Sequence, residues 1–234
     1  MLTKRIVINI MLITSRKLVN LIPYDINKIL IRGEKNMNKI KKLEVYESML
    51  IIVDMVNGFV DQGVLHDKQI KKIIPRQIEL IKEAHAKGNL VIFIKDTHDE
   101  DAVEFKRFGN TKHCVRGTKE AEVVDELKPF EEMENTISIE KNSTSFMEAP
   151  EFRKIVESMD NVKKVELVGC CTDICDFNGV MGLANYYDQW NREVEITVHE
   201  DAIATYSEEE RTEYVDAAKL LMKQQGIKLV SKKR

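Results

Sequence analysis

Short, nearly unbroken apolar runs alternate along this chain with longer amphipathic stretches, and the two periodicities differ enough to assign elements. The runs at 48–55 (SMLIIVDM), 89–95 (NLVIFIK), 136–140 (TISIE), 162–168 (VKKVELV), 193–198 (EVEITV) and 227–230 (IKLV) predict six strands. The first two are apolar on both faces, as strands of a buried parallel sheet are. Between the strands the pattern turns helical. Pro75 opens a helix with Ile78, Ile81 and Ala84 on one face and Gly88 as its stop. Residues 119–127 predict a short helix, Pro150 opens one that runs to Met159, and another extends from Cys175 to about Trp190. A long amphipathic helix is predicted over 207–225, with Ser207 and Glu210 spaced as a capping box.

This alternation predicts an α/β fold, a three-layer open, mostly parallel sheet of roughly six strands with helices on both faces, because parallel neighbours need crossover connections. In such sheets the ligand lies beyond the carboxyl ends of the strands. Asp54, Asp96 and Lys141 fall at or just past three of those ends, and Cys175 follows a fourth after the small-residue turn of LVGCCTDIC. An acid, a lysine and a thiol on one edge suffice for nucleophilic acyl transfer: Cys175 attacks a carbonyl carbon, Asp54 moves the proton and Lys141 balances the charge. Taken singly, each has an ordinary explanation as a capping acid, a solvated lysine or a buried cysteine. At a helix start, the Cys175 thiolate is expected to be favoured by the helix dipole. The backbone N–H groups of Cys171 and Cys175 are the best-placed oxyanion donors.

The polar segment 96–118 is too long for a minimal connection and carries a second set. Asp96, His98 and His113 offer one carboxylate and two imidazoles to a divalent metal ion, zinc first and iron or manganese as alternatives, with coordination positions left open. Glu104 is a candidate fourth contact, direct or through water. The spacing D-x-H with a distant histidine is a weak pattern alone and gains weight from its place beside the thiol. His66, His85 and His199 read as ordinary surface or core residues.

Composition narrows the partners. The net charge is −3, with no basic stripe interleaved with aromatics, so a small molecule is expected rather than nucleic acid. No apolar run is long enough to span a bilayer, which gives no reason to expect a membrane partner. Three of the four cysteines lie within CCTDIC, a spacing unlike a disulfide framework, and this suits a reducing cytoplasmic compartment. Residues 1–36 differ from the rest: Lys4, Arg5, Arg16, Lys17, Lys28, Arg32 and Lys35 outnumber Asp25 and Glu34. The codons for Arg32 to Asn36 can form a purine-rich ribosome-binding site, so Met37 is expected to be the true start. On this reading 1–36 is a leader or disordered extension, and 37–234 a single domain.

LIIVDMVNGFV with Asp54, KxxxSxF from Lys141, and VGCCTDIC with Cys175 resemble the three signature segments of the isochorismatase-like cysteine hydrolases. The resemblance runs from about Ser48 to the C-terminus. DTH at Asp96 to His98 and HCVRGTKEAE from His113 resemble the nicotinamidase branch. The resemblance implies an Asp54, Lys141, Cys175 triad, a thioester intermediate, and a metal on Asp96, His98 and His113 that holds the pyridine nitrogen. It further implies a cis peptide between Cys170 and Cys171, substrate contacts at Phe59 and Cys170, and a homo-oligomer. The chain departs from the pattern at Val56, usually glutamine, and at Asp176, usually aliphatic. It also has no tryptophan shortly before His113, where Asn110 and Lys112 stand, so the ring pocket is expected to lack one aromatic wall. The expected activity is conversion of nicotinamide to nicotinate and ammonia, a step that would feed NAD salvage. Two rivals are a related, metal-free amidase of the same superfamily acting on another small amide or carbamoyl substrate, and a non-catalytic thiol protein whose Cys170, Cys171 and Cys175 sense oxidants or bind a soft metal.

Overall fold

The computed structural model describes residues 43–232, and the expectation for 1–36 lies outside the described residues. Six strands, β1 (Ser48–Val53), β2 (Leu90–Asp96), β3 (Thr136–Lys141), β4 (Lys164–Cys170), β5 (Glu195–Ala204) and β6 (Lys228–Val230), form one sheet in the order β3-β2-β1-β4-β5-β6. Every neighbouring pair is parallel. The four longer helices are α1 (Ile74–Ala86), α2 (Pro150–Ser158), α3 (Phe177–Gln189) and α4 (Thr212–Gln224). The period of two along β1 separates the core into two layers. Met49, Ile51 and Val53 pack with Phe152, Leu183 and Met222 from α2, α3 and α4, whereas Leu50 and Ile52 pack with Leu80, Ile81 and Ala84 from α1. Strand order reverses between β1 and β4, and the crevice at such a switch point is where parallel sheets bind ligands.

Three boundaries differ from expectation, each for a local reason. β5 continues through His199, Glu200 and Asp201, because each finds a partner: Glu166 at 2.9 Å, Lys219 at 3.8 Å and Arg76 at 3.2 Å, respectively. The predicted helix over 119–127 is a single turn at Lys119–Ala121. Beyond it Val123 bridges Val56, and the Asn57 side-chain amide donates to the carbonyls of Lys119 and Glu122, which draws this segment out of helical geometry. The Ser207 and Glu210 capping box does not form. Ser207 has φ 46 and α4 starts only at Thr212, leaving residues 206–211 as a turn.

Candidate active site

Backbone geometry at the switch point aims the carboxylate of Asp54. Asp54 follows β1 with φ 51, a left-handed conformation that costs a non-glycine residue about 1–2 kcal/mol and turns the chain abruptly out of the sheet. Its N–H still donates to Ile94 O at 2.8 Å. Beside it, β4 comes so close that a Cβ on Gly169, itself at φ 143, would lie 2.2 Å from Val53 O, so no side chain fits there. The Cys170–Cys171 peptide that follows is cis. Cys171 O accepts from the N–H groups of Ile174 at 3.0 Å and Asp176 at 3.1 Å, which closes a π-helical turn over Thr172–Asp176 around Cys175.

Lys141 joins these groups. From the end of β3 its Nζ lies 2.8 Å from Asp54 Oδ2, 2.6 Å from Asp96 Oδ1 and 3.5 Å from Cys175 Sγ. All four residues are buried. Burial opposes the charge on Lys141, yet the two carboxylates hold the ammonium protonated well above its ordinary range. Burial pushes Asp54 up to about 6, against the pull of Lys141. Asp96, despite the same burial, is held well below the usual carboxylate range by Lys141 and the two histidines. The expected dipole-stabilised thiolate is corrected here. Burial, aided by Asp54 and Asp96, pushes the Cys175 thiol well up despite Lys141, so the resting group is a thiol.

The segment after β2 brings Asp96, His98 and His113 together. His98 N–H donates to Cys114 O at 2.9 Å and Arg116 N–H to His98 O, pinning the two arms of the loop side by side. Asp96 Oδ2 lies 2.9 Å from His98 Nε2 and 3.3 Å from His113 Nε2, and the three candidate ligand atoms fall within 4.8 Å of one another. Their outer nitrogens are occupied. His98 Nδ1 donates to Asn142 Oδ1 at 2.9 Å and His113 Nδ1 to Thr111 O at 3.0 Å, which turns both Nε2 atoms inward toward Asp96. One carboxylate and two imidazoles fit a divalent transition metal. Glu104 Oε1 stands 3.6 Å from His98 Nε2.

A pocket opens onto Cys175, Asp96 and His113. Phe59 lines it, with its ring centroid 5.9 Å from that of His113. Cys170 does not line this pocket: its thiol donates to Asp54 O at 3.2 Å, and Cys171 takes the place on the wall. Nor does the pocket lack aromatic walls, since Phe108 and Tyr206 both line it, while Trp190 is 63 % exposed elsewhere. Burial works against ionisation of Asp176, which stands where an aliphatic side chain is usual. It is fully buried, neither carboxyl oxygen finds a hydrogen-bond partner among the described residues, and burial pushes its pKa well up. Asn142, Phe108 and Tyr206 were missed from sequence; an amide directly after the strand-end lysine was the one available signal.

Residues 48–233 match the isochorismatase domain. Nicotinamidase 1 of Arabidopsis thaliana is 31 % identical over 144 residues, which is 56 % of this chain and 57 % of that relative's length. The zinc complex of Pyrococcus horikoshii pyrazinamidase superposes with a TM-score of 0.65 at 29 % identity, covering 80 % of this chain and 99 % of that one. N-carbamoylsarcosine amidase from Thermoplasma acidophilum gives 0.61 at 26 %, over 79 % and 96 % of the two chains. The parallel sheet, the cleft at its switch point and the length of the domain match agree: this chain belongs to the isochorismatase family.

Proposed function

We propose that this protein hydrolyses nicotinamide to nicotinate and ammonia through an acyl-thioester on Cys175. One observation carries the reading: the buried Asp54–Lys141–Cys175 cluster and the Asp96, His98 and His113 ligand set meet at one pocket, lined by Cys175 from the first and by Asp96 and His113 from the second. Cys175 Sγ attacks the amide carbon while Asp54 accepts the thiol proton. The backbone N–H groups of Cys171 and Cys175 receive the oxyanion. Asp54 returns the proton to the leaving amine, ammonia departs, and Asp54 then takes a proton from the water that attacks the thioester. Release of nicotinate leaves Cys175 as the thiol. Lys141 stays protonated and steadies the negative charge as it passes between Asp54 and the sulfur. Asp96, His98 and His113 would hold the metal, with Glu104 beside them; when bound, the ion supplies a Lewis-acid contact for the ring nitrogen. Zinc is the metal favoured by this donor set and by the pyrazinamidase neighbour. The product would enter NAD salvage, and the free cysteines suit a reducing, cytoplasmic setting. Among the described residues no helix is long and apolar enough to cross a membrane.

Ammonia release tests the reading, with nicotinamide and a carbamoyl amide such as N-carbamoylsarcosine offered to native, chelator-stripped and zinc-restored protein. Turnover of nicotinamide that falls on stripping and returns with zinc supports it. Turnover of the carbamoyl substrate alone, unaffected by chelation, would replace it. Because Asp54 must be ionised to accept the proton, kcat/KM for nicotinamide should rise as pH rises through about 6. An acidic limb that stays unmoved in Asp54→Glu and lies near 4 would contradict Asp54 as the base. Asn142→Ala removes the acceptor that orients His98. It should weaken zinc affinity by roughly 10–100-fold in a chelator competition, and an unchanged affinity would remove Asn142 from the site.

A further inference from the structure

The pocket has a wall that no catalytic step uses. Tyr206, half-buried on the turn after β5, lines it together with Leu65. The Arg211 guanidinium lies over the Tyr206 ring, 4.9 Å from its centroid, and 5.3 Å from that of Tyr214, so the cation sits between two rings. Arg211 is itself anchored. Its Nε and Nη2 both donate to Asp173 Oδ2, the former at 2.9 Å, and Asp173 Oδ1 accepts from Thr205 Oγ1 at 2.7 Å. The Asp173 carboxylate is 1 % exposed and stands two residues before Cys175, in the turn that holds the thiol. A second tether binds the same loop. Ser207 N–H donates to Asp67 Oδ2 at 2.9 Å, while Asp67 Oδ1 accepts from Gln69 N–H at 2.8 Å, so one carboxylate ties the Tyr206 loop to the segment bearing Leu65.

We propose that Tyr206 is a specificity-determining residue of this pocket, a wall that selects amides carrying a flat ring, and that the Asp173–Arg211 pair positions it against the turn holding Cys175. A charge-assisted, doubly bonded pair with a stacked guanidinium restrains an exposed loop far better than an isolated surface ion pair. Ordering the tyrosine before substrate arrives removes part of the entropy cost of binding. A planar substrate then gains contact area on the Tyr206 ring, whereas an acyclic amide gains almost none. The inference deepens the amidase reading and rests on it for its kinetic arm only.

The test compares Tyr206→Ala, Tyr206→Phe, Arg211→Ala and the Tyr206→Ala/Arg211→Ala double variant in two assays. In the first, KM for nicotinamide should rise about fivefold in Tyr206→Ala with kcat little changed, stay near wild type in Tyr206→Phe, and rise in Arg211→Ala. The double variant should not exceed the larger single effect, as expected of two residues acting as one unit. In the second, Cys175 is alkylated with iodoacetamide and with N-benzyl iodoacetamide, each rate being referred to free N-acetylcysteine. Wild type should favour the benzyl reagent, and Tyr206→Ala should lose that preference while its rate with iodoacetamide is retained. An alkylation preference that survives in Tyr206→Ala overturns the proposal. If Tyr206→Ala fails to fold, Tyr206→Leu keeps the loop packed without a flat ring and decides the same question. If wild type hydrolyses no amide, the function reading fails by itself, and the alkylation ratio still judges Tyr206.

Discussion

Replacing Cys175 with alanine should lower kcat for ammonia release by at least ~10⁴-fold, while nicotinamide binding stays within a few-fold of wild type. In the reaction proposed here, Sγ forms the bond that splits one difficult hydrolysis into two easier steps, and no other group in the pocket replaces it. The other parts of the site survive its loss: Lys141 keeps its ion pairs to Asp54 and Asp96, and the Asp96, His98 and His113 set is untouched. Binding measured by calorimetry should therefore separate from turnover. Cys175→Ser tests the same point more finely, because a hydroxyl beside the same Asp54 is a weaker nucleophile and should fall between wild type and alanine. Substantial turnover in Cys175→Ala would assign the chemistry to an activated water instead.

Lys141→Met should destabilise the fold by about 3–5 kcal/mol and abolish turnover. The length of the side chain is kept, so the loss is electrostatic rather than a cavity. Its ammonium is the shared counter-ion of two buried carboxylates, and without it Asp54 and Asp96 face each other across a water-poor site. For a domain of this size the melting temperature should drop by roughly 6–20 °C. The deficit should shrink as pH falls through the range where Asp54 takes up a proton, because a neutral acid no longer needs the lysine. Lys141→Met that melts like wild type at neutral pH would mean the carboxylates are neutralised by something other than this side chain.

Much of this site was legible because parallel strands deliver their last residues to one edge. Asp54, Asp96 and Lys141 each follow an apolar run, and the topology brings them to the crevice between β1 and β4. Contacts made across long sequence separations were not legible. Asn142 reaches His98 from the bend after β3, and Arg211 reaches Asp173 from the far side of β5. Phe108 supplies an aromatic wall without being a tryptophan, and nothing local marks Tyr206, whose approach depends on where the turn after β5 lands. Strand β5 was cut short because its charged residues look like a loop until their partners on β4, α1 and α4 are seen. The Cys175 thiol shows a related limit: the helix dipole is a local effect, whereas the burial that opposes the thiolate comes from the whole fold.

Mass spectrometry of acid-quenched turnover addresses the central claim most directly. Protein mixed with nicotinamide, quenched within the first turnovers and digested, should carry a nicotinoyl group on the peptide containing Cys175, absent from Cys175→Ala and lost on treatment with hydroxylamine. Ammonia release with no acyl group on Cys175 at any quench time, together with retained activity in Cys175→Ala, would contradict the account.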